Sequence, residues 1–460
     1  MGAWQAVTGL LKPVDDEKQR LLELRWRELP ADLQVPWQVV GRQFTQCGYV
    51  MGPSYCSFGC THCYLPSNAN RAPLPTWDEM KAQIDANRRL LGHAGNLQIT
   101  GGDVVDAYVR ADRVDELVRV VRYAVDVGLV PMVMTHGQKL LEEPELLDRL
   151  VVEGRMRKLA IHIDITQAGR PGFPIREISR EAELHPLRQQ FVDLILASRK
   201  RTGVRFAAAH TLTVTDANVD QVGDVLSWLA ASPDRLRAFR MVSLQPEAAV
   251  GRTRMGEQAV SPESCWAEVE RWAGQGQEVP AGKDNLWFGD PRCSRMTTFL
   301  ILNGGERIVD AVPSDDEGRA FWGRILDVYG GVGGRGAGRL DANLRRLGLT
   351  LRNPGILWEI VSFVRRRARR EGLSLGRIVG QALRGRIGAL NVVQHNFMDE
   401  AQVAAGGPEV ERRLAACSFQ GAVERDGRWE AVPMCSMNAV DREGIYARQI
   451  AADQAPAAES

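Results

Sequence analysis

Through the first 255 residues, short apolar runs alternate with longer stretches in which apolar residues recur at helical spacing. Strand candidates are Gly48–Gly52, Leu97–Thr100, Val130–Thr135, Lys158–Asp164, Val204–Val214 and Phe239–Leu244, most of them rich in Val, Ile, Leu or Met. Between them, Trp77–Leu91 and Asp112–Val127 carry charges on one face and apolar residues on the other, with Val114, Leu117, Val118 and Val121 as the clearest stripe. Strands separated by amphipathic helices predict an α/β fold with a parallel sheet. The pattern ends near residue 260, after which Ser261–Gly274 reads as one more helix. The chain therefore divides into a helical lead-in (1–44), an α/β unit (45–255) and a mainly helical C-terminal extension (256–460).

Composition narrows the function. Hydrophobic residues make up 44% and charged residues 25% of the 460, which is ordinary for a globular chain. With 58 basic against 57 acidic residues, the net charge of +1 argues against a generic nucleic-acid binder. No apolar run reaches about 18 residues, and acids interrupt the first 30, so the expectation is a cytoplasmic protein. Eight cysteines are too sparse for a disulfide scaffold, yet three fall within eight positions.

Those three form Cys56-Ser-Phe-Gly-Cys60-Thr-His-Cys63, a C-x3-C-x2-C spacing. Soft thiolates on one short loop suit three corners of an iron–sulfur cubane, leaving one iron open. Structural zinc is the alternative, although no second pair of ligands follows closely to complete a tetrahedron. The motif resembles the signature of the radical S-adenosylmethionine (radical SAM) enzymes. That resemblance implies a partial (β/α)6 TIM-type barrel, a 4Fe-4S cluster on Cys56, Cys60 and Cys63, and S-adenosylmethionine (SAM) bound at its open iron.

The resemblance also nominates residues after each strand, where barrel sites gather. His62 takes the place of the usual aromatic residue beside the adenine. Gly101-Gly102-Asp103 resembles the family's Gly-Gly-Glu. Thr135-His136-Gly137 is similar to Thr-Asn-Gly, Asp164 stands at a ribose-contacting position, and Arg252 would pair with the SAM carboxylate. His136, His162 and His210 are each either ligand-facing or ordinary core and rim histidines. No catalytic side chain is assigned beyond the cluster.

In the second half, Cys293, Cys417 and Cys435 sit in loop-like settings and suggest an auxiliary iron–sulfur cluster, with Cys265, Cys47 or His395 as a fourth ligand. Cys47 and Cys265 read equally well as buried structural thiols. Segments such as Ser243-Leu-Gln245-Pro246, Asp290-Pro-Arg-Cys293 and Pro433-Met-Cys435 resemble the branch containing the archaeal tetraether lipid synthase. The glycine-rich stretch 330–338 reads as a flexible linker or lid. Residues 351–390 hold nine arginines against two glutamates, flanked by Leu357, Ile360, Val361 and Val364 before the arginine run and Ile378, Val379, Leu383 and Ile387 after it. This pattern suits either a solvated helix face or peripheral contact with a membrane.

Together the resemblance implies a radical SAM enzyme that cleaves SAM to a 5′-deoxyadenosyl radical and abstracts hydrogen from an unactivated carbon, of a lipid or other apolar chain. Its partners would be that small-molecule or lipid substrate and an electron donor such as flavodoxin or ferredoxin. The alternatives are a radical SAM maturase of a ribosomally made peptide and a non-catalytic metal-binding structural or sensor protein.

Overall fold

A computed structural model describes residues 14–42, 47–174, 177–253, 260–274, 286–302, 305–332, 339–374, 376, 378, 380–381, 384 and 387–454. Most of the glycine-rich stretch 330–338, and Val379 and Leu383 of the arginine-rich segment, lie outside the described residues. The core is a nine-stranded mixed sheet. Six strands follow one another in chain order and pair in parallel: β1 (Cys47–Met51), β2 (Asn96–Thr100), β3 (Val130–Thr135), β4 (Lys158–His162), β5 (Ala207–Val214) and β6 (Phe239–Pro246). Each lies within three residues of its expected range at either end.

The C-terminal region is helical as expected, and it also extends this sheet with strands that were not expected. β7 (Ser294–Leu302), β8 (Arg307–Asp310) and β9 (Ile387–His395) complete the order β1-β2-β3-β4-β5-β6-β9-β7-β8. β9 runs parallel to β6 and antiparallel to β7. A hairpin of β10 (Gln420–Arg425) and β11 (Arg428–Pro433) returns to the first strand, where the Tyr49 hydroxyl donates to the Val432 carbonyl at 2.8 Å. Among the described residues, no helix is long and apolar enough to cross a membrane.

Helices cover the parallel strands because their apolar stripes need burial. In α1 (Asp16–Glu28), Asp15 caps the first turn through the Lys18 amide. In α2 (Trp77–Leu91), Thr76 and Glu79 form a reciprocal capping box, and Met80, Ile84 and Leu91 face the sheet. Fully buried Leu97, Ile99 and Val133 sit beneath them, each burial stabilising by roughly 1.5–3 kcal/mol. α3 (Val104–Arg110) and α4 (Val114–Asp126) follow β2, and Leu117, Val118 and Val121 are buried as the stripe predicts. The long helix α5 (His185–Thr202) precedes β5.

A lysine is buried in this frame. Lys18 is almost fully covered, and its ammonium donates at 2.5 Å to the carbonyl of Leu91, at the electronegative end of α2. Burial lowers its pKa from 10.5 to about 8. Between these values the unfolded chain binds a proton that the folded chain has released, so this residue makes stability rise with pH. Lys18→Met should remove that rise. Urea midpoints of both proteins at pH 7, 9 and 10 should show the wild type gaining on the variant, by at most about 1.4 kcal/mol per pH unit. Parallel profiles would refute the assignment.

Candidate functional site

A cavity of about 190 Å³ opens at the C-terminal ends of the parallel strands. Alternate residues of a strand share a face, and this places Gln98 and Thr100 of β2, Ala160 and His162 of β4, and Thr211 and Thr213 of β5 in its wall. The loop after β1 closes one side with Cys56, Phe58, Cys60, His62 and Cys63, and Phe397 and Met434 arrive from the C-terminal region.

Two glycines let that loop approach. A Cβ at Gly101 would stand 2.4 Å from the Pro53 carbonyl oxygen, and one at Gly102 only 2.1 Å from that of Tyr55. The absence of a side chain at both is therefore explained by packing of the cysteine loop against the end of β2, and both still line the cavity. The loop is fixed at its far end by Gly251, which has φ +63° and lies against the Tyr64 carbonyl. Beside it, the Arg252 amide donates to the carbonyls of Cys63 and Leu65, and its guanidinium donates to the Cys63 sulfur at 3.2 Å.

The expected ligand-contacting acids are occupied with structural work. Asp103 caps α3 through the Asp106 amide at 2.8 Å, and its other oxygen accepts from the Thr135 hydroxyl at 2.7 Å and the His136 amide at 2.5 Å. Thr135 in turn accepts from the Gly137 amide. Asp164 is fully buried and does not line the cavity. It accepts from the Thr166 amide and hydroxyl, the Thr213 amide and His162 Nε2, the last at 2.5 Å. Burial pushes its carboxyl upward, but the charge and hydrogen bond of His162 and these donors hold it below the usual range.

The histidines separate. His162 lines the cavity, with Nε2 also 2.9 Å from the Thr213 hydroxyl. His136 stacks on Phe58 with ring centroids 3.7 Å apart, while its Nδ1 accepts from the Gln138 amide. His210 lies behind the wall, where burial and the neighbouring Arg188 depress its pKa far below the ordinary value. At the mouth, His62 Nε2 is 2.9 Å from a carboxylate oxygen of Glu247, whose side chain is 2% exposed. Burial raises the Glu247 pKa. Glu247 follows the end of β6 and was missed in the sequence; its signal was the strand-end position itself. Gln245 and Thr211 also line the cavity, and their side chains take no hydrogen bond within the described protein.

Cys56, Cys60 and Cys63 do converge on this cavity, and burial pushes the Cys56 thiol up to about 12 and that of Cys60 upward also. Cys293, Cys417 and Cys435 also lie close enough for their thiols to influence one another, and burial raises Cys293 to about 11 and Cys417 to about 12. Cys47 and Cys265 are buried free thiols, as expected of cysteines that behave as small apolar residues. His395 packs edge-on to Phe419, and burial lowers its pKa to about 4.

Convergence is not coordination. Among the described residues, no group of three or more His, Cys, Asp or Glu side chains is disposed to hold a metal ion. The residues present therefore do not fit the expected groups. This corrects the 4Fe-4S centre on Cys56, Cys60 and Cys63, the second cluster on Cys293, Cys417 and Cys435, and SAM as cofactor. It equally corrects the assignment of the chain as a radical SAM enzyme, and the peptide-maturase and metal-binding alternatives fall with it.

No family model matches the chain, and no curated protein does. Among solved structures it is weakly and partially similar to an anaerobic sulfatase-maturing radical SAM enzyme. Native anSMEcpe with bound AdoMet aligns at 12% identity and TM-score 0.33, over 47% of this chain and 57% of that one. The same enzyme with AdoMet and Cp18Cys peptide aligns at 11% and 0.34, over 50% and 59%. The match thus spans little more than half of that enzyme's length, and it does not point to the lipid-synthase branch.

Proposed function

We propose that the chain binds a small organic molecule in the strand-end cavity, one with an apolar or flat body and hydrogen-bonding groups at its edge. The observation that supports this reading is the wall itself. Side chains from successive parallel strands meet at one space, and the Gln245 amide and Thr211 hydroxyl face it without partners in the described protein. Convergent polar groups in a mostly apolar pocket at the C-terminal ends of strands are the usual arrangement of a ligand site. Phe58, Met134, Phe397 and Met434 supply the apolar walls. Glu247, shielded beside His62, favours a ligand that brings an amine or hydroxyl donor.

Thermal-shift screening of the full chain against nucleosides, amino acids, polyamines and small alcohols tests this, followed by calorimetry on any hit. Gln245→Leu should weaken the hit about tenfold, the equivalent of one lost hydrogen bond of ~1.4 kcal/mol. A panel without a hit, or a hit bound equally by Gln245→Leu and Thr211→Val, overturns the reading.

A further inference from the structure

The surface carries a second feature far from this cavity in sequence. Ten large apolar side chains are substantially exposed among the described residues, and seven of them belong to two consecutive helices. These are α7 (Arg339–Arg352) and α8 (Gly355–Arg370), which follow α6 (Asp316–Tyr329) and are joined by the short turn Asn353–Pro354. Concentration in one place separates this patch from the scattered exposed leucines of ordinary surfaces.

Both helices already bury an apolar face. Leu349 and Ile356 pack with Val328 and Val332, and Phe363 stacks on Phe321 at 3.8 Å. The exposed residues form a second stripe on each helix. On α7, Leu344, Leu347 and Leu351 recur at i, i+3 and i+7; on α8, Leu357, Val361 and Val364 recur at i, i+4 and i+7. Leu351 and Trp358, each 72% exposed, flank the turn Asn353–Pro354, two residues before it and four after it.

Charge identifies the occupant. Residues 342–370 contain eight arginines and one glutamate. Three of these arginines, Arg366, Arg367 and Arg370, are anchored to Asp315 and Glu317 at the start of α6. Arg365 and Arg369 are exposed and continue the Trp358 face of α8. At 1.5 Å per residue, Arg365 lies about 10 Å along the helix from Trp358. An apolar corner with tryptophan at its tip and arginines one headgroup depth above it matches the polarity gradient of a lipid interface.

We propose that the corner between α7 and α8 docks on an anionic lipid surface, with Leu351, Leu357 and Trp358 entering the acyl boundary and Arg365 and Arg369 meeting the phosphates. This places the contact at the turn and on α7 as well as along the arginine run. It is independent of what the strand-end cavity binds.

Flotation of the full chain with phosphatidylcholine vesicles, with and without phosphatidylserine, tests it. The wild type should bind vesicles containing phosphatidylserine at least tenfold more tightly than phosphatidylcholine alone. Leu351→Ser with Trp358→Ser should abolish flotation. Arg365→Gln with Arg369→Gln should weaken it roughly tenfold or more, and added salt should do the same to the wild type. All these positions are exposed, so matching urea midpoints will show that the variants fold. Absence of flotation with phosphatidylserine, equal flotation by either double variant, or a dimer in solution that Trp358→Ser dissociates would overturn the proposal.

Discussion

Arg188→Ala should destabilise the protein by about 3–5 kcal/mol, the cost of leaving one partner of a buried ion pair alone. Arg188 on α5 and Glu181 are both completely buried. The guanidinium ion-pairs with Glu181, donates to the Glu181 carbonyl and donates through Nε to His210 Nε2 at 3.0 Å. Glu181 accepts in addition from Asn218 at 2.8 Å and from the Ile165 amide at 3.1 Å. One charged pair thus joins α5, the loop after β4, β5 and the turn after β5, directly behind the cavity wall. Truncating the arginine strands a carboxylate and removes a donor from a buried, neutral imidazole. Arg188→Met combined with Glu181→Met should recover most of the loss, since apolar replacement of both partners removes the stranded charge. Urea unfolding of the two variants measures this directly, and a single-variant loss below about 1 kcal/mol would show that the pair is not holding these elements together.

The same region shows what local sequence can and cannot specify. Strands β1 to β6 were legible because each is a short apolar run bounded by turn residues, and β3 matches its expected range at both ends. β4 ends two residues early because the Asp164 side chain turns back onto Thr166 and leaves the strand geometry. β7 and β9 were not legible. β9 finds its partners in β6 and β7, the former about 150 residues earlier, and the start of its run, Ile387, reads locally as the tail of the arginine-rich helix. No periodicity within nine residues carries that information.

The candidate site was legible in its location and not in its chemistry. Position after a parallel strand brought His62, Gly101, Gly102, Asp103, Thr135 and His162 to the cavity wall. The family resemblance implied ligand roles for His62, Asp103 and Thr135, and the structure gives Asp103 and Thr135 protein partners as well. Whether a carboxylate faces a ligand depends on which donors the folded backbone aims at it, and Asp164 and Asp103 are met by backbone amides from other strands. Likewise, three cysteines at a favourable spacing reach one cavity, yet no group of three or more such side chains among the described residues is disposed to hold a metal ion.

Asp103 turns this distinction into a measurement. Asp103→Ala removes the α3 cap, worth about 1 kcal/mol, and strips the Thr135 hydroxyl and the His136 amide of their acceptor, each at about 1–3 kcal/mol for a buried donor. The expected loss of stability is therefore about 3 kcal/mol or more. Asp103→Asn keeps the shape and one acceptor, but turns an amide nitrogen toward one set of donors, so it should fall between wild type and alanine. If the carboxylate only positions the end of β3 against α3, a ligand found for the cavity will lose affinity in proportion to this instability. The loss will shrink at temperatures where all three proteins are folded. A loss of affinity in Asp103→Asn at unchanged urea midpoint would instead put the carboxylate in contact with the ligand. Asp103 would then be a binding residue, as the Gly101-Gly102-Asp103 motif suggested.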